Sequence, residues 1–224
     1  MSKFDPILGK AVREHLISKG VETPMVEYGG EGTGGLAPEQ QITVIEDHFK
    51  QIMRVLNLDL RDDSLADTPK RVAKMYVNEI FSGLSYHTFP KCTAVENKMG
   101  YDEMVIEKDI TCISACEHHF VTIDQICHIA YVPNKKVLGL SKLNRIAKYF
   151  AQRPQIQERF VEQVYHALQY ILQTDNIAVV AEGRHYCVAQ RGVEDQTSRT
   201  ITSKLGGGFK TDPALRAEFM SLIR

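Results

Sequence analysis

Apolar and polar positions along the chain follow two kinds of pattern, and the change between them falls near residue 90. Over residues 4–19, Ile7, Leu8, Val12 and Leu16 recur at helical spacing and the run stops at Gly20. The next stretch, VETPMVEYGGEGTGGLAPEQ, has five glycines between Gly29 and Gly35 and reads as a flexible connector. From Pro38, the apolar residues Ile42, Ile45, Phe49, Ile52 and Leu56 return every three or four positions and predict an amphipathic helix. Thr68-Pro69 predicts the start of a third helix, with Thr68 as cap and Pro69 in the first turn. It runs through Val72, Met75, Tyr76 and Ile80 to Gly83, read as the glycine that ends it. These 84 residues read as a helical appendage.

Beyond it, segments 92–97, 104–110 and 119–132 are rich in Val, Ile, Thr and Tyr with partial alternation, and predict strands. Ser141 opens a helix with Leu143, Ile146, Ala147 and Phe150 on one face. Pro154 interrupts it, and a second helix follows through Ile156, Phe160, Val164, Leu168 and Ile171. Residues 177–182 and 184–190 read as a hairpin around Gly183, and 198–203 as a further strand. LGGGFK reads as a loop, and Asp212-Pro213 as the cap of a last helix with Leu215, Phe219 and Leu222 facing inward. Strands, two helices and then strands make an α+β arrangement, an antiparallel sheet backed by helices. The expected division is 1–37 for the first helix and connector, 38–90 for a helical region and 91–224 for the catalytic α+β domain.

Composition narrows the classes. The 224 residues are 43% hydrophobic and 25% charged, an ordinary globular mixture. Twenty-seven Lys and Arg against 28 Asp and Glu leave a net charge of −1, which argues against nucleic acid or an anionic membrane as partner but allows a local basic pocket. No apolar run approaches the roughly 18 residues of a membrane span. The opening residues MSKFDPILGKAVREHL lack the apolar core of a secretory leader, so the expectation is a cytoplasmic chain. Five cysteines, Cys92, Cys112, Cys116, Cys127 and Cys187, then point to reduced thiols or metal ligands rather than disulfides.

The densest chemistry is Cys116-Glu117-His118-His119. Thiolate and imidazole both suit zinc, but spacing does not choose between His118 and His119, and an isolated pair of this kind is ordinarily a buried thiol beside surface histidines. His185-Tyr186-Cys187 changes that balance: on the expected strand, residues two apart project from one face. Cys187 can complete a Cys-His-Cys set with Cys116 and one histidine, leaving a fourth position for water, the catalytic zinc pattern. The H-x-E…P-C-x-x-C signature of nucleobase deaminases is missing. Lys142 and Arg145 stand in the first turn of the Ser141 helix, against the dipole unless an anion binds there. Free N–H groups, a hydroxyl, two cations and the preceding Gly139 outline a phosphate site. Arg71 and Lys74 make another basic pair at i, i+3, and Arg191-Gly192 follows Cys187. Any one of these cations alone is ordinarily a solvated surface charge. Glu158 lies near a helix start, where a carboxylate usually only compensates the dipole; it can also accept two hydrogen bonds from a ligand edge, but spacing alone does not single it out for that.

Together CEHHF (116–120), GLSKLNRIAKYFAQRPQIQER (139–159), HYCVAQRG (185–192) and DDSLADTPKRVAKMYVNEIFSGL (62–84) resemble GTP cyclohydrolase I, over about residues 40–224. The resemblance implies a tunnelling fold, an antiparallel sheet with two helices on one face, closed into barrels by neighbouring subunits. It implies a homodecamer of two pentamers with active sites at subunit interfaces. It implies zinc on Cys116, His119 and Cys187, with His118 and His185 as proton-transfer groups. Glu158 would anchor guanine with backbone help around Gln157, and Lys74, Ser141, Lys142, Arg145 and Arg191 would hold ribose and triphosphate, with Arg71 nearby. The implied reaction opens the imidazole ring of GTP, releases formate and rearranges, with Ser141 as a proton relay, to 7,8-dihydroneopterin triphosphate, the entry to folate and pterin synthesis.

Overall fold

The computed structural model describes residues 3–26 and 35–224. Contacts divide the chain into a larger unit, Met1–Thr23 with Tyr86–Arg224, and a smaller one, Pro24–Ser85. The expected connector falls mostly in residues 27–34, outside the described residues. The larger unit opens with α1 (Pro6–Ser18), capped by Asp5, whose Oδ1 accepts from Leu8 N at 3.0 Å, and stopped by Gly20 at φ 70°. The expected division sets α1 apart from the catalytic block, and the structure differs. Val12 and Leu16 are fully buried in one core with Phe89, Phe150 and Phe160. Gly9 sits so close to the 86–89 segment that a Cβ there would come within 2.5 Å of Tyr86 O.

The smaller unit holds α2 (Pro38–Val55) and α3 (Thr68–Met75). Helix α3 does not run on regularly to Gly83. The chain widens into a π-helical turn over Tyr76–Ile80, with Phe81 N donating to Tyr76 O at 3.0 Å, and Gly83 lies inside a 3-10 turn at Ser82–Leu84.

The rest of the larger unit contains, in order, β1 (Ala94–Glu96), β2 (Val105–Cys116), β3 (Thr122–Tyr131), β4 (Lys136–Leu138), α4 (Leu140–Ala151), β5 (Pro154–Gln155), α5 (Gln157–Leu172), β6 (Ile177–His185), α6 (Tyr186–Ala189), β7 (Thr200–Leu205), α7 (Gly207–Thr211) and α8 (Pro213–Leu222). Strands β1 and β4 pair as a two-stranded ribbon, and the main sheet has the order β5-β2-β3-β6-β7. It is antiparallel apart from the short parallel contact of β5 with β2. Alternate residues, Ile110 and Cys112 on β2, Cys127, Ile129 and Tyr131 on β3, Val179 and Ala181 on β6, pack against Leu143, Ile146 and Phe150 of α4 and Phe160, Val164 and Leu168 of α5. This is the expected α+β layer of a sheet with two helices on one face. On the opposite face, Phe209 and Phe219 from α7 and α8 cover Ala130, Ala178 and Val180, while Ile113, Ile126 and Ile201 stay 44–64% exposed.

Three local expectations are corrected. Residues 177–190 are not a hairpin: β6 runs unbroken through Gly183 and bonds to β3 and β7. Gly183 is there because Gln157 packs on it, and a Cβ would lie 2.5 Å from Gln157 Oε1. The glycine-rich LGGGFK segment is the end of β7 followed by α7, not a loop. Leu222 is largely exposed, although Phe219 of the same helix is fully buried.

Candidate metal and nucleotide site

β2 ends at Cys116 and the chain turns back over residues 117–121 into β3. Cys116 N donates to Val121 O at 2.8 Å, Phe120 N to Cys116 O at 2.8 Å, and Phe120 takes a left-handed φ of 54° to close the turn. Both histidines of this turn bring Nδ1 towards the Cys116 sulfur, His118 at 3.8 Å and His119 at 4.0 Å. The set whose ligand atoms all lie within 4.8 Å of one another is Cys116, His119 and Cys187. Cys187 does not reach it from a strand, as the sequence suggested. The chain leaves β6 at His185 and bends into the short turn α6, which carries Cys187 towards Cys116. His185 therefore stays on the sheet, in register with Ile123, while Cys187 joins the neighbouring turn.

Two sulfurs and one imidazole, none in a disulfide, form a soft donor set suited to a divalent metal such as zinc. Burial pushes the Cys187 thiol up, the adjacent Cys116 sulfur adds to this, and Arg191 opposes it. A cation between the sulfurs would reverse that tendency. Arg191 Nη1 lies 2.8 Å from His119 Nε2, and Nδ1 is the ring atom on the sulfur side.

His185 stands beside this set under close control. Its Nε2 is 2.8 Å from Gln157 Oε1. Gln157 is buried and spends its amide hydrogens on Ala181 O at 3.0 Å and Thr200 O at 2.8 Å, so its oxygen accepts and His185 carries its proton on Nε2. Burial lowers the pKa of His185, and the carboxylate of Glu158 pulls the other way. Glu158 itself is exposed in the first turn of α5. Behind the site, Glu117 forms an ion pair with Arg159, and its backbone N donates to Gln155 O at 3.0 Å.

The structure gathers Cys116, His118, His119, Gln157, Glu158, His185, Cys187 and Arg191 at one end of the sheet. It puts Ser141, Lys142 and Arg145 elsewhere in the same chain. Tyr131, which pairs with Val105 at the far end of the sheet, receives Leu138 N on its hydroxyl at 3.1 Å, and α4 starts just beyond. The helix then runs 12 residues, roughly 18 Å, towards Pro154 and the Cys116 end. At its start Lys142 N bonds to Gly139 O at 2.8 Å, and Ser141 and Arg145 are exposed. Lys142 and Arg145 lie close enough to Cys92 to favour its thiolate, although burial pushes that thiol up to about 12. Arg71 and Lys74 are both exposed on α3 of the smaller unit, where Arg71 donates to Ser64 O at 3.1 Å.

Gly183 escaped the sequence reading as a site residue. An isolated glycine in a strand pattern signals close approach as well as a turn, and the second sense applies. The side-chain role of Gln157 had no local signal, because its partners at 181, 185 and 200 come from other strands.

The sequence model of the family described as GTP cyclohydrolase I matches residues 45–224. This chain belongs to that family. A protein named GTP cyclohydrolase 1 from Shewanella loihica is 55% identical over 212 residues, covering 95% of this chain and 96% of its own length. Proteins of the same name from Aliivibrio salmonicida, 54% identical over 213 residues, and Shewanella amazonensis, 55% identical over 209 residues, cover 95% and 93% of this chain and 95% and 94% of their own lengths.

Proposed function

We propose that this chain hydrolytically opens the imidazole ring of GTP, releases formate and forms 7,8-dihydroneopterin triphosphate, the entry to folate and pterin synthesis. The observation that carries the reading is the convergence of Cys116, His119 and Cys187 beside a histidine whose proton is fixed by Gln157. Family membership names the substrate that such a site acts on.

Cys116, His119 and Cys187 would hold zinc, which when bound supplies Lewis acidity to activate water at neutral pH. Gln157 keeps the Nε2 proton of His185 occupied, so Nδ1 is the atom through which this ring accepts and returns a proton at N7 of the purine. The negative charge of Glu158 stabilises the ring while it carries the extra proton. His118, exposed on the turn, is the second proton-transfer group. Glu158 accepts the N1–H and 2-amino hydrogens of guanine, and the buried Gln157 sets the start of α5 from which it projects. Ring opening and a second hydration free formate. The ribose then opens and rearranges, with Ser141 relaying protons, and recloses onto the freed amine.

Lys142, Arg145, Arg191, Lys74 and Arg71 hold the triphosphate and ribose without cleaving them, so their contribution is positioning. The separation of α4's start from the Cys116 end supports a site built from two copies of the chain, with Ser141, Lys142 and Arg145 supplied by a neighbour. The open face with Ile113, Ile126 and Ile201 supports closure of the sheet into a barrel in a homodecamer of two pentamers. Incubation with GTP is expected to yield formate and, after oxidation, a fluorescent pterin. Release of phosphate or ammonia without either product would defeat the reading.

A further inference from the structure

Residues 21–23 lie ahead of the span 45–224 matched by the family, yet they line a buried polar network. Arg153 is fully buried and donates from Nη1 to Glu22 Oε1 at 2.9 Å and to Thr23 Oγ1 at 3.3 Å. The rings of Tyr86, Tyr149 and Phe150 surround its guanidinium at 4.7–4.9 Å. The Tyr86 hydroxyl donates to the second oxygen of Glu22. Burial alone would lower the pKa of Arg153, but Tyr86, Tyr149 and Glu22 outweigh it and the cation persists. On the other side, Gln163 of α5 donates to Val21 O at 3.0 Å and Thr23 Oγ1 at 3.1 Å, and accepts from Gln155 Nε2 at 2.7 Å. Gln155 in turn pairs with Cys116 across β5 and β2 and accepts from Glu117 N.

A buried ion pair gains little net stability, because desolvation cancels most of the attraction. Its partners are nevertheless strongly constrained in position, since each must meet the other or remain buried and unpaired. What this network constrains is the 153–156 connection, and the chain passes from it directly into Gln157 and Glu158.

We propose that Val21–Thr23 is a positioning brace: by gripping Arg153 and Gln163 it fixes the entry to α5 and so the place of Glu158 against guanine. The proposal rests on the reading of Glu158 as the guanine anchor. The residues act through the loop and touch no substrate.

The test uses the full-length, zinc-loaded protein and 7-deaza-GTP, which keeps the guanine edge but lacks the N7 needed for ring opening. Its dissociation constant is measured by calorimetry, beside KM and kcat for GTP and the melting temperature. Glu22→Ala is expected to weaken binding and raise KM about tenfold, the worth of one charge-assisted hydrogen bond, with kcat changed far less. Glu22→Asp should recover part of the loss. Because Glu22→Ala strands a buried cation, Thr23→Val is the independent probe: it keeps the shape, removes one shared hydroxyl, and should cost about threefold in affinity. Native affinity and KM in Thr23→Val, or in folded Glu22→Ala with only a lower melting temperature, would reduce the network to stability alone and overturn the brace. Glu158→Ala serves as reference. Native affinity in that variant sinks the guanine assignment itself, whereas a defect there with native brace variants sinks only the brace.

Discussion

Gly183 shows how much a single missing Cβ can decide. With Gly183 in place, Gln157 Oε1 reaches His185 Nε2 at 2.8 Å, and an added methyl would sit 2.5 Å from that oxygen and 3.2 Å from Gln125 Cβ. Gly183→Ala is expected to displace Gln157, release the His185 ring from its fixed tautomer and cost about 1–3 kcal/mol in stability as an overpacking change. Activity should fall at least tenfold while zinc content, read by elemental analysis, stays native. A variant with native turnover would remove Gln157 from the account of proton transfer. Cys187→Ala leaves one sulfur and one imidazole, so it should lose both bound zinc and turnover. Full zinc retention in that variant would displace Cys187 from the ligand set. At this scale the thiols and imidazoles were legible as metal donors from their types and clustering. Gly183 was not, because the atom that needs its space comes from residue 157.

The elements divide between what periodicity reports and what distant contacts impose. Helices α1, α2, α4 and α5 follow their apolar spacing closely. The turn into α6 has no such signal, since the run Tyr186-Cys187-Val188-Ala189 is apolar throughout and reads as a continuing strand where the chain in fact bends. The seam between α1 and α5 carries a testable titration. Gln169 Oε1 lies 3.3 Å from His15 Nε2 and 2.8 Å from His166 Nδ1, and His166 Nε2 faces Glu162 at 3.3 Å. Burial lowers the pKa of His166 against the pull of Gln169 and Glu162, with Lys204 and His15 lowering it further. Burial likewise lowers that of His128, against the nearby Asp109. A histidine depressed in the folded state favours folding fully above its ordinary value of about 6.5, and that contribution is lost as pH falls below it, where the unfolded chain takes the proton more readily. The melting temperature should therefore drop between about pH 7 and 5, and His166→Gln should flatten the drop. An unchanged slope in that variant would show that His166 is not responsible.

For the molecule as a whole, the Cys116, His119 and Cys187 set and the start of α4 do not meet within one chain. The donor set stands at one end of the sheet and the cationic start of α4 at the other, roughly 18 Å of helix apart. A net charge of −1 hid this separation, because it averages over both ends. If two copies share each site, Cys187→Ala and Arg145→Ala chains, both inactive alone, should complement on co-assembly. Equal random mixing should restore about a quarter of the sites, those pairing an intact donor set with an intact α4 start across the repeated interface. A mixture as inactive as its parents would place all these residues in a single chain's site. Among the described residues no helix is long and apolar enough to cross a membrane.

The donor chemistry, the amphipathic helices that back the sheet and a set of long motifs specific enough to point to one family are all legible along the chain. These are local properties: residue type and spacing carry them without reference to the rest of the chain. That α1 joins the main core, that β6 passes straight through Gly183, that Cys187 arrives from a turn, and that residues 21–23 grip Arg153 emerge from the folded chain. Each of those depends on groups tens to more than a hundred residues apart meeting in space. Burial and hydrogen-bond satisfaction settle such meetings, and a pattern read along the chain does not record them.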